Sequence, residues 1–221
     1  MRSDKRISMK ESTMSITEEL LAANARRSKE QNKAAAERIA STGDKKAVAE
    51  LIKLLSCKDK TVQSDAVEIL YETGYLNPAC ITDGCKEFVA LLTSRNNRLV
   101  WGAMIALSRI ASVAPDRVFP HLPLIRQTVD RGSVITKDAG VVLYAQLVKM
   151  KKYRTDVVPL LFDELKMCPI KQLPQYVEKS VGSIDTALRA DFMDIVEKRS
   201  GDLGTESRVK RIRKALTLLR K

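Results

Sequence analysis

The stretch LLSCKDKTVQSDAVEIL, residues 54–70, decides the fold of this chain. It contains two leucines, a polar turn, and then Val62, Ala66 and Leu70 at intervals of four. Residues 91–107, LLTSRNNRLVWGAMIAL, repeat this pattern 37 residues later. Such spacing places the apolar residues on one face of a helix, and a small central residue lets a neighbouring helix approach closely. Each stretch is therefore predicted to contain the turn between two packed helices.

Further copies of the pattern follow towards the C-terminus, at residues 125–143, 161–181 and, in degraded form, 192–216. In the third copy Ile135 aligns with Leu99, one residue short of the 37-residue interval. A unit of this kind can bury its apolar face only against its neighbours. The sequence therefore predicts an all-α protein, a right-handed α-solenoid of about five helix pairs.

Two stretches, residues 59–66 and 97–103, resemble the HEAT and armadillo-like repeat family. Members of that family usually carry Asp at the turn, Val and then Arg at the start of the second helix, and Ala and Leu after it. Gln63 and Val100 stand where that Arg would be, so the chain departs from the family pattern there. The resemblance covers about four fifths of the chain. It implies an armadillo-type superhelix of HEAT-like pairs, but no single function, because the fold hosts many unrelated tasks.

The chain is predicted to form one domain with two distinctive ends. Residues 1–14 are expected to be disordered, and residues 15–43 are expected to form one or two capping helices that cover the first repeat. An arm that becomes ordered only on a partner is the alternative for this N-terminal segment. The repeats are assigned to residues 44–204, followed by a basic amphipathic helix, residues 205–221, packed on the last repeat.

Charge is the clearest indication of function. The chain has 39 Lys and Arg against 27 Asp and Glu, a formal net charge of +12. Much of the excess lies in the C-terminal helix, where Glu206 is the only acidic residue. Its cations considered for binding are Arg208, Lys210, Arg211, Arg213 and Lys214. A solvated basic face on a capping helix is the alternative interpretation.

The repeat register also repeats basic residues at the turns. The turn positions of the first three repeats carry Lys58, Lys60, Arg95, Arg98, Arg131 and Lys137. Equivalent turns of a solenoid lie on one edge, with neighbours on the order of 10 Å apart. We call this predicted row the basic edge, and it suits an acidic protein segment or a phosphate backbone. Ordinary solvated turns are the alternative.

Trp101 is the only tryptophan, and it aligns with Ser64 and Lys137 in the neighbouring repeats. Since those residues are polar, Trp101 is predicted to lie beside the buried stripe, with one edge towards the surface formed by the second helices. With Arg98 and Arg109 beside it, Trp101 is a candidate contact for a partner protein or a stacked base. The alternative is a tryptophan that fills space between the second and third repeats.

The sequence gives less support to an enzymatic function. The sequence has no Gly-rich phosphate loop and no nucleophile elbow. His121 is the only histidine, which excludes the paired His-Glu motifs of iron-dependent hydroxylases built from HEAT repeats. HEAT-like DNA glycosylases remove alkylated purines with Trp, Asp and Arg. Trp101 and Arg109 are available here, and Asp138 is the only nearby carboxylate, so a glycosylase-like activity is kept as the enzymatic alternative.

The four cysteines, Cys57, Cys80, Cys85 and Cys168, are expected to be reduced thiols, and no metal or cofactor is predicted. No run of 18 apolar residues is present, so no membrane association is expected. We expect a cytoplasmic, non-catalytic scaffold with an acidic protein or peptide as its partner. Nucleic acid is the alternative partner, and the sequence does not indicate an oligomeric state.

Overall fold

The computed structural model describes residues 14–22 and 27–220. Apart from Met14, the segment predicted to be disordered, residues 1–14, lies outside the described residues. The helices of the described ranges are α1 (Ile16–Leu21), α2 (Lys29–Thr42), α3 (Lys45–Leu54), α4 (Lys60–Leu76), α5 (Cys85–Leu91), α6 (Asn97–Ile110), α7 (Pro115–Val118), α8 (Leu122–Arg131), α9 (Val134–Val148), α10 (Arg154–Met167), α11 (Leu173–Ser180), α12 (Thr186–Ser200) and α13 (Glu206–Leu216). Short 3-10 segments are Pro78–Gly84, Phe119–His121, Lys151–Tyr153, Val181–Ser183 and Thr217–Arg220.

The helices pack as two layers. The second helices of successive repeats, α4, α6, α9, α11 and α13, contact one another in chain order, and α2 extends this layer beyond α4. In the first-helix layer, α1 contacts α3 and α10 contacts α12. The predicted all-α solenoid of helix pairs is confirmed. We call the outer side of the layer formed by α2, α4, α6, α9, α11 and α13 the second-helix surface.

Both ends of the stack are helical where the structure describes them. Helices α1 and α2 pack on α3 and α4, the two helices of the first repeat. At the other end α13 packs on α11, with Ile212 and Ala215 buried. Within residues 14–22 and 27–220, no helix is long and apolar enough to cross a membrane.

Polar side chains begin the second helices of the first three repeats. Asp59, Asn96 and Ser133 each accept a hydrogen bond from a backbone N–H two or three residues later. These side chains satisfy N–H groups that have no partner inside the helix. The three caps follow one another at intervals of 37 residues, so the register is constant through all three repeats.

This constant interval corrects the alignment of the third repeat. Thr136, and not Ile135, is the counterpart of Leu99: Thr136 is fully buried, whereas Ile135 is 47% exposed. The predicted shortening of the third repeat by one residue was wrong. That alignment assigned the core position to Ile135 because it is more apolar than Thr136, but Thr136 is the buried residue. The Thr136 hydroxyl is hydrogen-bonded to the hydroxyl of Ser133 at 3.1 Å, which makes its burial tolerable.

The correction also changes the counterpart of Trp101. With an interval of 37 residues, Trp101 corresponds to Asp138 and not to Lys137. A tryptophan and a carboxylate therefore occupy the same position on neighbouring second helices.

Close packing between second helices depends on small residues. A Cβ atom added at Gly102 of α6 would lie 3.0 Å from Cγ2 of Val67 in α4. This is tighter than ordinary van der Waals contact, so the absence of a side chain there brings the two helices together. The same approach brings polar side chains on α4 and α6 within hydrogen-bonding distance.

Candidate binding site on the second-helix surface

The predicted basic edge contains four exposed side chains: Lys58, Lys60, Arg95 and Arg131. No ion pair involves these four among residues 14–22 and 27–220. The acidic residue among them, Asp59, accepts backbone hydrogen bonds from Thr61 and Val62 as a helix cap. These four cations are therefore available to a partner.

Arg98 differs from these four side chains, because it forms an ion pair with a residue of α4 on the second-helix surface. Its guanidinium group donates a hydrogen bond of 2.6 Å to Oε2 of Glu68, a residue that is only 3% exposed. Asn32 Nδ2 donates to the same oxygen at 3.3 Å and to Oδ1 of Asp65 at 3.2 Å. We call Asn32, Asp65, Glu68 and Arg98 the N-terminal polar network. Within it, Arg98 and Glu68 form an ion pair inside the fold.

Trp101 lies beside this network. Its ring centroid is 5.8 Å from that of Tyr71 in α4, and the guanidinium carbon of Arg98 is 5.5 Å from the Trp101 ring centroid. The indole is half-buried, with its aromatic contact towards the first repeat rather than between the second and third.

Lys137 lies one turn inside α9 and is half-buried. The pKa of the Glu164 carboxyl is raised by its burial, while the positive charge of Lys137 opposes this rise. Lys137 was predicted to belong to the basic edge, but it is less exposed than Lys58, Lys60, Arg95 and Arg131 and lies within a helix.

Two of the predicted cations on α13 contact groups of the fold. Arg211 donates to both carboxylate oxygens of Glu178, at 2.8 and 2.6 Å. This hydrogen bonding lowers the pKa of Glu178. Arg208 donates to the backbone carbonyl of Leu203 at 2.8 Å. Both arginines help to hold α13 in place.

The remaining cations of α13 are exposed. Lys210 forms an ion pair with Glu206 one turn earlier, with a Nζ–Oε1 distance of 3.0 Å. Arg213 and Lys214 make no ion pair within the part of the chain that the structure describes. Only part of the predicted basic face of α13 is therefore free.

Arg109 lines a cavity between α4, α6, α9 and α11, which we call the central cavity. Its volume is about 130 Å³. Its walls are formed by Tyr75, Ile105, Ser108, Arg109, Ile135, Asp138, Ala139, Val142 and Lys179. Tyr75 and Ile135 are 50% and 47% exposed, so they mark the opening to solvent. Trp101 does not line this cavity.

The Arg109 guanidinium lies over the ring of Tyr75, with its central carbon 4.4 Å from the ring centroid. Its Nε is buried and has no hydrogen-bond acceptor among the described residues. Burial lowers the pKa of Arg109, and the charge of Tyr75 opposes this shift.

Asp138 and Lys179 complete the charged groups of the cavity. Oδ2 of Asp138 accepts a hydrogen bond of 2.8 Å from Gln175. The carboxylate also faces the buried Tyr176, whose pKa is raised by burial, by the charge of Asp138 and by hydrogen bonding to it. Burial lowers the pKa of Lys179; the charge of Asp138 opposes that shift and the charge of Arg109 adds to it. The cavity therefore combines two cations, one carboxylate and an apolar wall, with a net charge of about +1.

Sequence reasoning named Arg109, and considered Asp138, only as neighbours of Trp101. It missed Lys179 and Tyr75. The constant 37-residue register would have placed Asp138 on the second-helix surface. Lys179 had no such signal, because the interval between the caps of α9 and α11 is no longer 37 residues.

Metal binding has no visible basis in the described ranges. They contain no group of three or more His, Cys, Asp and Glu that could hold a metal ion. All four cysteines are free thiols, and Cys85 and Cys168 are buried.

Comparison with protein-family models gives no match, and comparison with curated proteins gives none either. Solved structures do match. An engineered protein has a TM-score of 0.62 and 20% identity, and the match covers 93% of this chain and 98% of that one. A designed armadillo repeat protein in complex with the peptide (KR)4 has a TM-score of 0.65 and 14% identity, with coverage of 86% and 90%. A computationally designed armadillo repeat protein for modular peptide recognition has a TM-score of 0.65 and 16% identity, with the same coverage. The chain therefore has the armadillo-type repeat fold.

Proposed function

We propose that this armadillo-type solenoid is a non-catalytic scaffold that binds an acidic protein or peptide through its basic edge and its second-helix surface. The observation that carries this proposal is the availability of cations. Lys58, Lys60, Arg95 and Arg131 are exposed and have no acidic partner in the described ranges. A row of such side chains is suited to several carboxylates of one extended partner.

The fold and the charge together favour a peptide of acidic composition. One of the similar structures is a designed repeat protein in complex with (KR)4, a basic peptide. This chain has a formal net charge of +12, and Arg109 and Lys179 add cations to its second-helix surface. A peptide bound to it in a related way would therefore need the opposite charge to (KR)4.

The geometry gives less support to catalysis. A glycosylase-like activity would require Trp101, Arg109 and Asp138 to act on one substrate. Trp101 packs on Tyr71 outside the central cavity, whereas Arg109 and Asp138 line it. The similar solved structures are engineered or designed repeat proteins. The free cysteines agree with a cytoplasmic location, which we include in the proposal.

Charge reversal tests the basic edge. The variant Lys58→Glu, Arg95→Glu, Arg131→Glu is compared with wild type in binding to a blocked, fluorescently labelled peptide of twelve residues rich in Glu. Each exposed ion pair contributes about 0.2–1 kcal/mol, so we expect binding to weaken roughly 3- to 100-fold. Fluorescence anisotropy measures the dissociation constants.

The matched control is Lys45→Glu, Lys86→Glu, Lys151→Glu. These lysines are also exposed, but they lie near the starts of first helices, away from the turns that form the basic edge. Equal weakening by both triple variants would reject the edge and leave only net charge. Tighter binding of an oligonucleotide than of the acidic peptide, with a steep salt dependence, would favour nucleic acid instead.

A further inference from the structure

The central cavity has groups that are ready to bind a ligand. Arg109 lines the cavity, and it forms no ion pair with a carboxylate of the described ranges. Its Nε is buried without a hydrogen-bond partner there, whereas buried polar groups are usually hydrogen-bonded. A bound anion that contacts Arg109 from the cavity would supply the missing negative charge.

The size of the cavity limits the ligand group. Its volume is about 130 Å³. A cavity of about 150 Å³ accommodates benzene, so a group of about five heavy atoms fits with room to spare. The carboxylate end of a Glu or Asp side chain is of that size, whereas a folded element is not.

The net charge of the cavity favours an anion with a single negative charge. Arg109 and Lys179 together outweigh Asp138 by one positive charge. A monoanionic carboxylate restores neutrality, while a phosphate dianion would be repelled by Asp138. The apolar wall, which includes Ile105 and Val142, suits the methylene groups of an acidic side chain.

A peptide also brings polar backbone groups to the cavity beside its acidic side chain. Every peptide unit other than proline carries an N–H close to its side chain. The exposed rim residues Tyr75 and Ile135 offer apolar contact to the backbone on either side of the opening.

We propose that the central cavity is a carboxylate site: a Glu or Asp side chain of a bound peptide contacts Arg109 and Lys179 at the cavity wall. Gln175 and Tyr176 hold the carboxylate of Asp138 within the fold, so Asp138 offsets only one of the two cations. The choice of a peptide as the source of the carboxylate rests on the proposed function. The carboxylate specificity itself rests on the cavity alone.

The test observes the Nε–Hε signal of Arg109 in the full chain labelled with ¹⁵N, assigned by its disappearance in Arg109→Lys. The probes are N-acetyl-glutamate N-methylamide and its neutral counterpart, N-acetyl-glutamine N-methylamide. We expect the glutamate compound to shift the signal in a saturable way and the glutamine compound to leave it unchanged. In Lys179→Met, the affinity for the glutamate compound should fall at least about fivefold, because one of two cations is lost.

Lys149→Met is the matched control, since Lys149 is an exposed lysine that directly follows α9 and its Nζ donates to Gln146 outside the cavity. It should bind the glutamate compound as wild type does. No shift with the glutamate compound, an equal shift with the glutamine compound, or wild-type affinity in Lys179→Met would each overturn the proposal. A stronger shift with N-acetylglycine would overturn the assignment to a side chain and assign the carboxylate to a chain terminus.

These outcomes are separate from those for the proposed function. If the acidic peptide of twelve residues fails to bind the whole protein, the scaffold role is rejected, but the titration of the cavity still decides whether it takes a carboxylate. If the peptide binds and the cavity signal does not respond, only the carboxylate site is rejected.

Discussion

The N-terminal polar network and the central cavity both lie along the second helices and contain similar groups, but only the network joins its cation to a carboxylate. In the network, Glu68 accepts hydrogen bonds from both Asn32 and Arg98. In the cavity, Arg109 forms no ion pair with a carboxylate of the described ranges. The ion pair indicates that the network stabilises the fold, whereas the charge of Arg109 is left for a ligand in our proposal.

The repeat register shows which residues make the two regions different. One interval of 37 residues after Glu68 and Arg98 come Ile105 and Ile135. The ion pair that joins α4 to α6 is thus replaced, at the step from α6 to α9, by two isoleucines that line the cavity. Without that pair the step from α6 to α9 leaves an apolar pocket, and Arg109 beside it forms no ion pair with a carboxylate of the described ranges.

The largest effect is expected from breaking the network. Glu68→Ala removes the acceptor of Arg98 and Asn32 and leaves their donors partly buried. Removing one partner of a buried charged pair costs about 3–5 kcal/mol, and since Arg98 is partly exposed we expect a loss near 3 kcal/mol in the free energy of unfolding. Urea unfolding followed by circular dichroism measures it. Glu68→Gln keeps an acceptor and should lose less; a loss below about 1 kcal/mol in Glu68→Ala would show that the network is not structural.

A smaller effect on stability is expected when the cavity loses its cation. Arg109→Met removes a buried guanidinium with an unsatisfied Nε, and it also removes the contact with Tyr75, worth about 0.5–1 kcal/mol. These changes oppose each other, so the free energy of unfolding should stay within about 1 kcal/mol of wild type. Arg98→Met, the same substitution in the network, should cost clearly more. Equal losses in the two variants would remove the distinction between the regions.

The sequence was sufficient for the solenoid because apolar residues at fixed spacing and polar helix caps determine where each helix lies. It was not sufficient for the third repeat, where Ile135 resembles a core residue more than Thr136 does. The basic edge followed from the turns, but Arg98 did not belong to it, because its partner Glu68 lies in the preceding repeat. The cavity needed contacts among four helices, and no spacing in the sequence places Lys179 beside Arg109.

The smallest effect concerns pH, and it tests whether the two cations of the cavity act on the ligand. Burial lowers the pKa of Lys179, so the folded chain loses this proton at a lower pH than the unfolded chain does. Burying the charged form of Lys179 costs stability, and this cost disappears as the proton is lost. The free energy of unfolding therefore rises as pH rises from the folded to the unfolded pKa of Lys179. A bound carboxylate favours protonated Lys179, so affinity for the acidic peptide should fall as pH rises through the lowered pKa. The fall should be no steeper than about tenfold per pH unit, because one proton is linked.

Two other titratable groups, one on the cavity wall and one beside Asp138, do not reproduce this profile. Arg109 stays charged at these pH values although burial lowers its pKa, and Tyr176 stays protonated because burial and the charge of Asp138 raise its pKa. In Lys179→Arg the cation persists, so the alkaline fall in affinity should disappear while binding near neutral pH is kept. Anisotropy titrations from pH 7 to 10 would show this. An unchanged alkaline fall in Lys179→Arg would mean that another group binds the carboxylate, and the cavity would then resemble the N-terminal network in using its charges only within the fold.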